Sequence, residues 1–172
     1  MEKVLLLKED TIRSRVKELA GRISADYAGK KPVMIGILNG VVFFYVDLLK
    51  ELTIPAKIDF VRAASYGPGT VSSGKIVLSK DVEIPIKDED VILVEDIVDT
   101  GLTLNYILAK LKEKGPRSLR ICALIDKPER RKEEVRVDYC GFKIKEGFLV
   151  GYGLDYNEEY RCLKDIYELR QG

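Results

Sequence analysis

The fold of this chain is decided by one stretch of sequence, Val91-Ile92-Leu93-Val94-Glu95-Asp96-Ile97-Val98-Asp99-Thr100-Gly101-Leu102-Thr103. Its opening apolar run is typical of a strand buried on both faces of a parallel sheet. Residues 102–114 predict a helix, because apolar side chains recur from Leu104 at the spacing of one helical face. The helix should stop at Gly115-Pro116, where a left-handed cap precedes a residue that cannot continue it. Strand, loop and helix in this order indicate an α/β unit.

The loop between this strand and helix has the chemistry of a phosphate site. Its backbone N–H groups, the hydroxyls of Thr100 and Thr103 and the helix dipole can together enclose an anion. Glu95 and Asp96, at the end of the strand, cannot bind phosphate, so they must face hydroxyl groups or a metal ion. A ribose 5-phosphate satisfies both halves of the loop. Taken alone, the carboxylates could also be a helix N-cap and a solvated side chain.

The remaining elements predict a doubly wound α/β sheet in a single domain that spans residues 1–172. Further strands are expected at 32–38, 57–65, 75–79 (antiparallel to 57–65), 120–125, around 139–140 and at 148–152. Further helices are expected at 10–29 (capped by Asp10 and Thr11), at 41–52 and from about residue 158 onward. In such a sheet, ligands bind beyond the carboxyl ends of the strands, where Asn39, Glu95, Asp96 and Lys127 all fall.

The composition is that of an ordinary soluble globular protein. The chain has 29 basic and 28 acidic residues, so nucleic acid is not an expected partner. The nearest basic cluster is short, and Arg130, Arg131 and Lys132 are interpreted as a solvated loop or helix start. The apolar stretch at the amino terminus and the longest apolar run, residues 41–46, are too short for a signal peptide or a membrane span.

The chain has three cysteines and no histidine, which limits the disulfides and metal sites that it can form. An odd number without CxxC spacing argues against a disulfide framework, and no conventional zinc site can form. Cys122, Cys140 and Cys162 are therefore expected to be reduced and mostly buried. The expected location is the cytoplasm.

Residues 91–103 resemble the phosphoribosyl pyrophosphate motif of type I phosphoribosyltransferases, and the form Glu-Asp-Ile-Val-Asp-Thr-Gly is similar to the 6-oxopurine branch of that family. Four further pieces occur in the family's order: Leu38-Asn39-Gly40, Ser65-Tyr66-Gly67, Asp126-Lys127-Pro128 and the run 148–158. The resemblance implies the type I fold, a mostly parallel twisted sheet flanked by helices with a core of about 10–130. It also implies a flexible loop and a small hood of short strands, built from the N-terminal segment and about 135–172.

The resemblance assigns a role to each matching residue. Asp99 would exchange a proton with N7 of a purine, although an aspartate here also suits a helix N-cap. The other implied sites are phosphoribosyl binding at Glu95, Asp96, Thr100, Gly101, Leu102 and Thr103; pyrophosphate binding at Leu38, Asn39, Gly40 and Arg161; base binding at Lys127, Phe148 and Leu149; a lid at 65–74 with Ser65 and Tyr66; and Mg²⁺ at Glu95, Asp96 and Asp155. Leu102 and Asn39 depart from the family, since many relatives carry a basic residue at both positions.

Several of these assignments have a competing structural interpretation. Lys127 could be an exposed strand-end lysine rather than a donor to the purine O6, and Phe148 could be a core residue rather than a stacking partner. Residues 65–74 could be an idle hairpin connection, although ten residues are more than a hairpin needs. The family often has a cis peptide at the position of Leu38–Asn39.

The implied reaction is Mg²⁺-dependent purine salvage. A 5-phosphoribosyl group would pass from phosphoribosyl pyrophosphate to N9 of hypoxanthine or guanine, giving IMP or GMP plus pyrophosphate, in a homodimer or homotetramer. A non-enzymatic nucleic-acid-binding regulator of the same fold is the second interpretation, opposed by the balanced charge and by Asp99. An enzyme for another base is the third: Lys127 and Phe148 oppose adenine, whereas xanthine stays open.

Overall fold

The computed structural model describes residues 1–66 and 75–170, so most of the predicted lid, at 67–74, lies outside the described residues. The elements in chain order are β1 (Glu2–Leu7), α1 (Glu9–Asp26), β2 (Val33–Ile37), α2 (Val42–Glu51), β3 (Lys57–Tyr66), β4 (Lys75–Lys80), β5 (Asp90–Val98), α3 (Leu102–Lys112), β6 (Ser118–Asp126), a short 3₁₀ helix (Pro128–Arg130), β7 (Tyr139–Lys143), β8 (Phe148–Val150) and β9 (Ile166–Arg170).

The main sheet has six strands in the order β4-β3-β2-β5-β6-β7, and all neighbours are parallel except β3 and β4. Apolar side chains of α1 and α2 pack on one face of the sheet and those of α3 on the other. From the central pair β2 and β5, the chain winds outward in opposite directions. The carboxyl ends of these two strands therefore flank the topological switch point, where open α/β sheets bind their ligands.

A second sheet of three antiparallel strands, in the order β1-β9-β8, forms the hood. The predicted C-terminal helix is wrong, because this part of the chain forms turns followed by β9. Asn157, Glu158 and Tyr160 all have positive φ, a left-handed conformation that cannot belong to a right-handed helix. Ile166 of β9 is fully buried in the core.

Three other differences concern the bounds of β5 and α1 and the sheet to which one strand belongs. β5 continues to Val98, because β6 extends alongside it, so the carboxylates Glu95 and Asp96 lie within the strand rather than after it. The strand at Tyr139–Lys143 pairs with β6 in the main sheet, not in the hood. Helix α1 begins at Glu9, ahead of the predicted Asp10-Thr11 cap.

The cysteines agree with the sequence prediction in chemistry but only partly in burial. All three are free, and Cys122 is buried, but Cys162 is exposed. Across residues 1–66 and 75–170, no helix has both the length and the apolar character needed to cross a membrane.

Candidate active site

A cavity of about 210 Å³ opens beside the carboxyl ends of β5 and β6, beneath the hood. Its lining residues are Asp96, Ile97, Asp99, Lys127, Phe148, Leu149, Leu154 and Asp155. Six of these eight were singled out from the sequence, and Ile97 and Leu154 were not. Two larger cavities, of about 360 and 680 Å³, contain none of the predicted site residues. The smaller cavity is therefore the candidate site.

Two adjacent carboxylates lie on β5, and of these Asp96 lines the cavity whereas Glu95 does not. The Asp96 N–H donates to Glu95 Oε1 over 3.0 Å, and the Ile97 N–H donates to Asp96 Oδ1 over 2.8 Å. Burial raises the pKa of the Glu95 carboxyl well above its usual range, and repulsion from Asp96 adds to the rise. A cation or a pair of hydroxyl donors would relieve that repulsion. This oxygen-only donor set matches the preference of Mg²⁺.

The loop Leu38-Asn39-Gly40 lies directly against Asp96, and its Leu38–Asn39 peptide is cis, as expected. A Cβ on Gly40 would lie 2.0 Å from Asp96 Oδ2, and a Cβ on Gly153 would lie 2.0 Å from the Gly40 carbonyl oxygen. Only glycine fits at both positions, because backbone and carboxylate are in van der Waals contact. The structure thus brings the predicted pyrophosphate loop and a predicted metal carboxylate together.

Arg161 lies behind the cavity rather than in its lining. Its Nη1 donates to the Gly153 carbonyl over 2.7 Å, and its Nη2 is 3.2 Å from Asp155 Oδ1. The guanidinium also pairs with Glu158. Arg161 therefore connects the turn that packs on Gly40 with Asp155, and the Asp155 carboxylate already has a cationic partner. Across the described residues, no group of three or more His, Cys, Asp or Glu side chains could hold a metal ion by itself.

The predicted phosphate loop leads into α3 through Gly101, which adopts φ +86° at the N-cap. A Cβ there would lie 2.8 Å from the Glu133 carbonyl oxygen, so glycine is needed for both conformation and space. The Thr100 carbonyl accepts hydrogen bonds from the N–H groups of Lys132 and Glu133, at 2.9 and 3.2 Å. With Gly101 as N-cap, the alternative interpretation of Asp99 as the helix cap is wrong.

Asp99 is instead held by arginines that follow β6. Arg130 Nε donates to Asp99 Oδ1 over 2.6 Å, and Arg131 Nη1 donates to the Asp99 carbonyl over 2.6 Å. Arg131 also forms an ion pair with Asp126. The interpretation as a solvated loop or helix start is therefore wrong for Arg131, which is largely buried, whereas Arg130 ends the short 3₁₀ helix and is exposed. No local signal could have revealed these contacts, because Arg130 and Asp99 are 31 residues apart and meet only through the adjacency of β5 and β6.

The structure decides between the alternatives that the sequence left open for Lys127 and Phe148. Lys127 is only 5% exposed, its Nζ donates to the Gly147 carbonyl, and burial lowers its pKa. Phe148 is 52% exposed, and its ring meets Tyr156 edge-on at 5.6 Å between centroids. The exposed-lysine and core-phenylalanine alternatives are therefore both wrong. A buried cation and an open aromatic face in one cavity suit a flat, carbonyl-bearing ligand.

Ser65 and Tyr66 end β3, where their backbones pair with Ile76 and Lys75 of β4. This antiparallel pairing of β3 and β4 was predicted. It brings both ends of the segment 67–74 to the same edge of the sheet.

Comparisons with a protein family, with known sequences and with a solved structure point to the same group of proteins. Residues 6–157 match the family described as phosphoribosyl transferase domain. The chain is 40% identical over 166 residues to a hypoxanthine-guanine phosphoribosyltransferase of Bacillus subtilis (strain 168), which covers 96% of this chain and 92% of that protein. It is 42% identical over 169 residues to a hypoxanthine-guanine-xanthine phosphoribosyltransferase of Tritrichomonas foetus, with 98% and 92% covered. The crystal structure of a hypoxanthine-guanine phosphoribosyltransferase from Bacillus anthracis is similar at a TM-score of 0.93 and 40% identity, with 99% of this chain and 100% of that one covered.

Proposed function

The chain belongs to the phosphoribosyl transferase family, and from this premise we propose that it transfers 5-phosphoribosyl from phosphoribosyl pyrophosphate to N9 of hypoxanthine or guanine. The products are IMP or GMP and pyrophosphate, as expected of an enzyme of purine salvage. The observation that carries the proposal is the single cavity that Asp99, Lys127 and Phe148 share with Asp96 and Asp155. Lys127 and Phe148 suit a purine base, and Asp96 and Asp155 suit the hydroxyl groups of a sugar or a bound cation.

The reaction forms the N9–C1′ bond as the bond from C1′ to the pyrophosphate oxygen breaks. The purine loses its N7 proton in the forward direction, and Asp99 accepts it. Positive charge develops on the ribose during the transfer, and the nearby carboxylates stabilise it electrostatically. The segment 65–74, which begins with Ser65 and Tyr66, would close over the site and exclude water.

Recognition of the base falls to three residues. The Lys127 ammonium donates to O6, which distinguishes a 6-oxo from a 6-amino purine, and the exposed Phe148 ring stacks on the base. The Leu149 backbone reads the base edge. Leu149 is itself buried on β8, so the position of its backbone is fixed by the hood.

The phosphoribosyl pyrophosphate is held by loops at the switch point. Backbone N–H groups and hydroxyls of residues 100–103 surround the 5-phosphate at the α3 N-terminus. Neutral donors of Asn39 and Gly40, with the cation of Arg161, would bind the pyrophosphate. Leu38 shapes this loop, because its N–H donates to the Val61 carbonyl over 2.9 Å. The hydroxyls of the ribose face Glu95 and Asp96.

Mg²⁺ is the implied cofactor, and the oxygen-only donors at the switch point fit it. Glu95, Asp96 and Asp155 would hold the ion, directly or through water, together with substrate oxygens. When bound, the ion would supply positive charge to offset the negative charge of the pyrophosphate. Because Asp155 already pairs with Arg161, holding the ion requires that this carboxylate be shared between the two cations.

The enzyme is proposed to act in the cytoplasm as a homodimer or homotetramer, with a single catalytic domain over residues 1–172. Support for assembly comes from α2, which exposes Val42, Phe43 and Val46 directly after the pyrophosphate loop. Exposed apolar side chains grouped in this way are typical of protein–protein contacts. No nucleic acid or membrane partner is proposed.

The test is pyrophosphate release from phosphoribosyl pyrophosphate and Mg²⁺ with each of hypoxanthine, guanine, xanthine, adenine and uracil. Release is expected with hypoxanthine and guanine. The Asp99→Asn variant, which loses the proton acceptor but keeps the shape, should be slower by about 10²- to 10⁴-fold. Release with xanthine would extend the base range to that in the name of the Tritrichomonas relative. No release with any base, despite binding of the sugar phosphate, would favour the regulator.

A further inference from the structure

Two consecutive arginines after β6 contact the same short stretch of chain, and they divide the contacts between them. Arg131 is largely buried and binds the backbone: its Nη1 donates to the carbonyls of Val98 and Asp99, at 3.0 and 2.6 Å. Its Nη2 pairs with the buried carboxylate of Asp126 at the end of β6. Arg131 thereby fixes the main chain from which the Asp99 side chain extends.

Arg130 binds the side chain that Arg131 leaves free. Its Nε is 2.6 Å from Asp99 Oδ1, at the short end for a charge-assisted hydrogen bond. The Arg130 N–H donates to the Lys127 carbonyl over 3.1 Å, so the residue is anchored to the end of β6. Both partners of the ion pair therefore extend from backbone that is itself held in place.

The pair is poorly suited to stabilising the fold. The Arg130 and Asp99 side chains are 56% and 39% exposed, and ion pairs this open to solvent contribute little to stability. The ion pair instead fixes the orientation of the Asp99 carboxylate. With Oδ1 engaged by Arg130, the second oxygen of Asp99 is left for a ligand in the cavity that Asp99 lines.

We propose that Arg130 is a positioning residue, which holds the Asp99 carboxylate in the orientation that accepts the N7 proton of the purine. The inference rests on the proposed function, because it gives Arg130 a role only through Asp99. Arg130 has no contact with residues 38–40 or 100–103 among its hydrogen bonds and ion pairs in the described part of the chain. Its loss should therefore lower kcat and leave the KM for phosphoribosyl pyrophosphate unchanged.

The experiment is a double-mutant cycle on pyrophosphate release with hypoxanthine, using Arg130→Ala in the wild-type and Asp99→Asn backgrounds. In the wild-type background, kcat should fall roughly 10- to 100-fold, the scale of misplacing a reacting group. In the Asp99→Asn background, Arg130→Ala should cause no further loss. Arg130→Lys, which keeps a cationic donor, should recover part of the rate.

Arg136→Ala is the matched control, because Arg136 is another exposed arginine of the same connection, and within residues 1–66 and 75–170 its ion pair is with Asp138 alone. It should keep the wild-type kcat. Equal fold losses in both backgrounds, or a wild-type kcat in Arg130→Ala, would overturn the inference while leaving the proposed function intact. Equal rates for Asp99→Asn and wild type would refute the role of Asp99 and the inference together. Thermal unfolding of Arg130→Ala and Arg130→Lys separates loss of fold from loss of rate.

Discussion

Gly40 shows how one hydrogen in place of a methyl group sets the geometry of the site. The residue occupies the point where the proposed pyrophosphate loop meets the buried carboxylate of Asp96, and Gly153 packs on its other side. Seen in the sequence, Asn39-Gly40 is an ordinary turn signal. The structural requirement is steric: a Cβ at position 40 would lie 2.0 Å from Asp96 Oδ2, a distance at which atoms overlap.

Gly40→Ala should therefore impair catalysis more than folding. The added methyl must displace either the loop or the Asp96 carboxylate, an overpacking that costs about 1–3 kcal/mol of stability. The same displacement should lower kcat/KM for phosphoribosyl pyrophosphate by about 10²-fold. Steady-state kinetics in varied phosphoribosyl pyrophosphate, with circular dichroism to confirm folding, measure both effects.

Gly21→Ala is the control for this substitution. Gly21 lies inside α1, and a Cβ there would meet nothing within 4 Å. Because alanine is the better helix former, the variant should gain about 0.5–1 kcal/mol and keep full activity. Wild-type kinetics in Gly40→Ala would contradict the steric account of the loop.

At the scale of elements, the sequence predicted the strands and helices that are marked by a pattern in their own residues. The strands at 33–37 and 90–98 were predicted because each contains a short apolar run, Val33–Ile37 and Val91–Val94, and the antiparallel pairing of β3 and β4 followed from the connection between them. Asp96, Lys127 and Phe148, which line the cavity, were singled out because each belongs to a recognisable motif in or beside a strand. The contacts of Arg130 and Arg131 were missed because they depend on which strands become neighbours.

The start of α1 was misplaced because it also depends on a contact with a distant part of the chain. Asp10-Thr11 has the composition of a helix cap, but the helix begins one residue earlier, at Glu9. The Glu9 N–H donates over 2.7 Å to Asp165 Oδ1, a carboxylate that is 156 residues away in sequence. A helix capped by a distant side chain carries no cap signal in its own sequence. Strand β9 was not predicted either. The left-handed residues that precede it, Asn157, Glu158 and Tyr160, leave no pattern in the sequence that marks a strand to follow.

Asp165→Ala should consequently destabilise the protein, although Asp165 looks like an ordinary loop aspartate. Loss of a capping acceptor typically costs about 0.5–2 kcal/mol. Urea unfolding should show this cost for Asp165→Ala and a smaller one for Asp165→Asn, which retains an amide oxygen. Asp10→Ala, in the exposed first turn, should cost no more than about 0.3 kcal/mol, the low end of a helix-dipole contribution. A larger effect at Asp10 than at Asp165 would restore the cap predicted from the sequence.

At the scale of the whole molecule, the proposed pyrophosphate loop, Leu38–Gly40, leads directly into the exposed apolar part of α2. The pyrophosphate loop ends at Gly40, and α2 then exposes Val42, Phe43 and Val46, which are 39%, 40% and 47% accessible. Because the helix starts immediately after the loop, whatever covers these side chains also constrains the loop. Assembly and substrate binding would thus be coupled through α2.

Val46→Glu should therefore convert the proposed oligomer into smaller species. Burying an unpaired carboxylate in an apolar contact is strongly unfavourable, whereas the same side chain on a free helix surface is tolerated. Sedimentation velocity should show a shift toward monomer, and the KM for phosphoribosyl pyrophosphate should rise as the pyrophosphate loop loses support. Ala109→Glu is the matched control, since it adds the same charge to an exposed position of α3, on the opposite face of the sheet. If Val46→Glu sediments as wild type does, α2 is not the contact surface, and a monomeric wild type would refute the proposed assembly altogether.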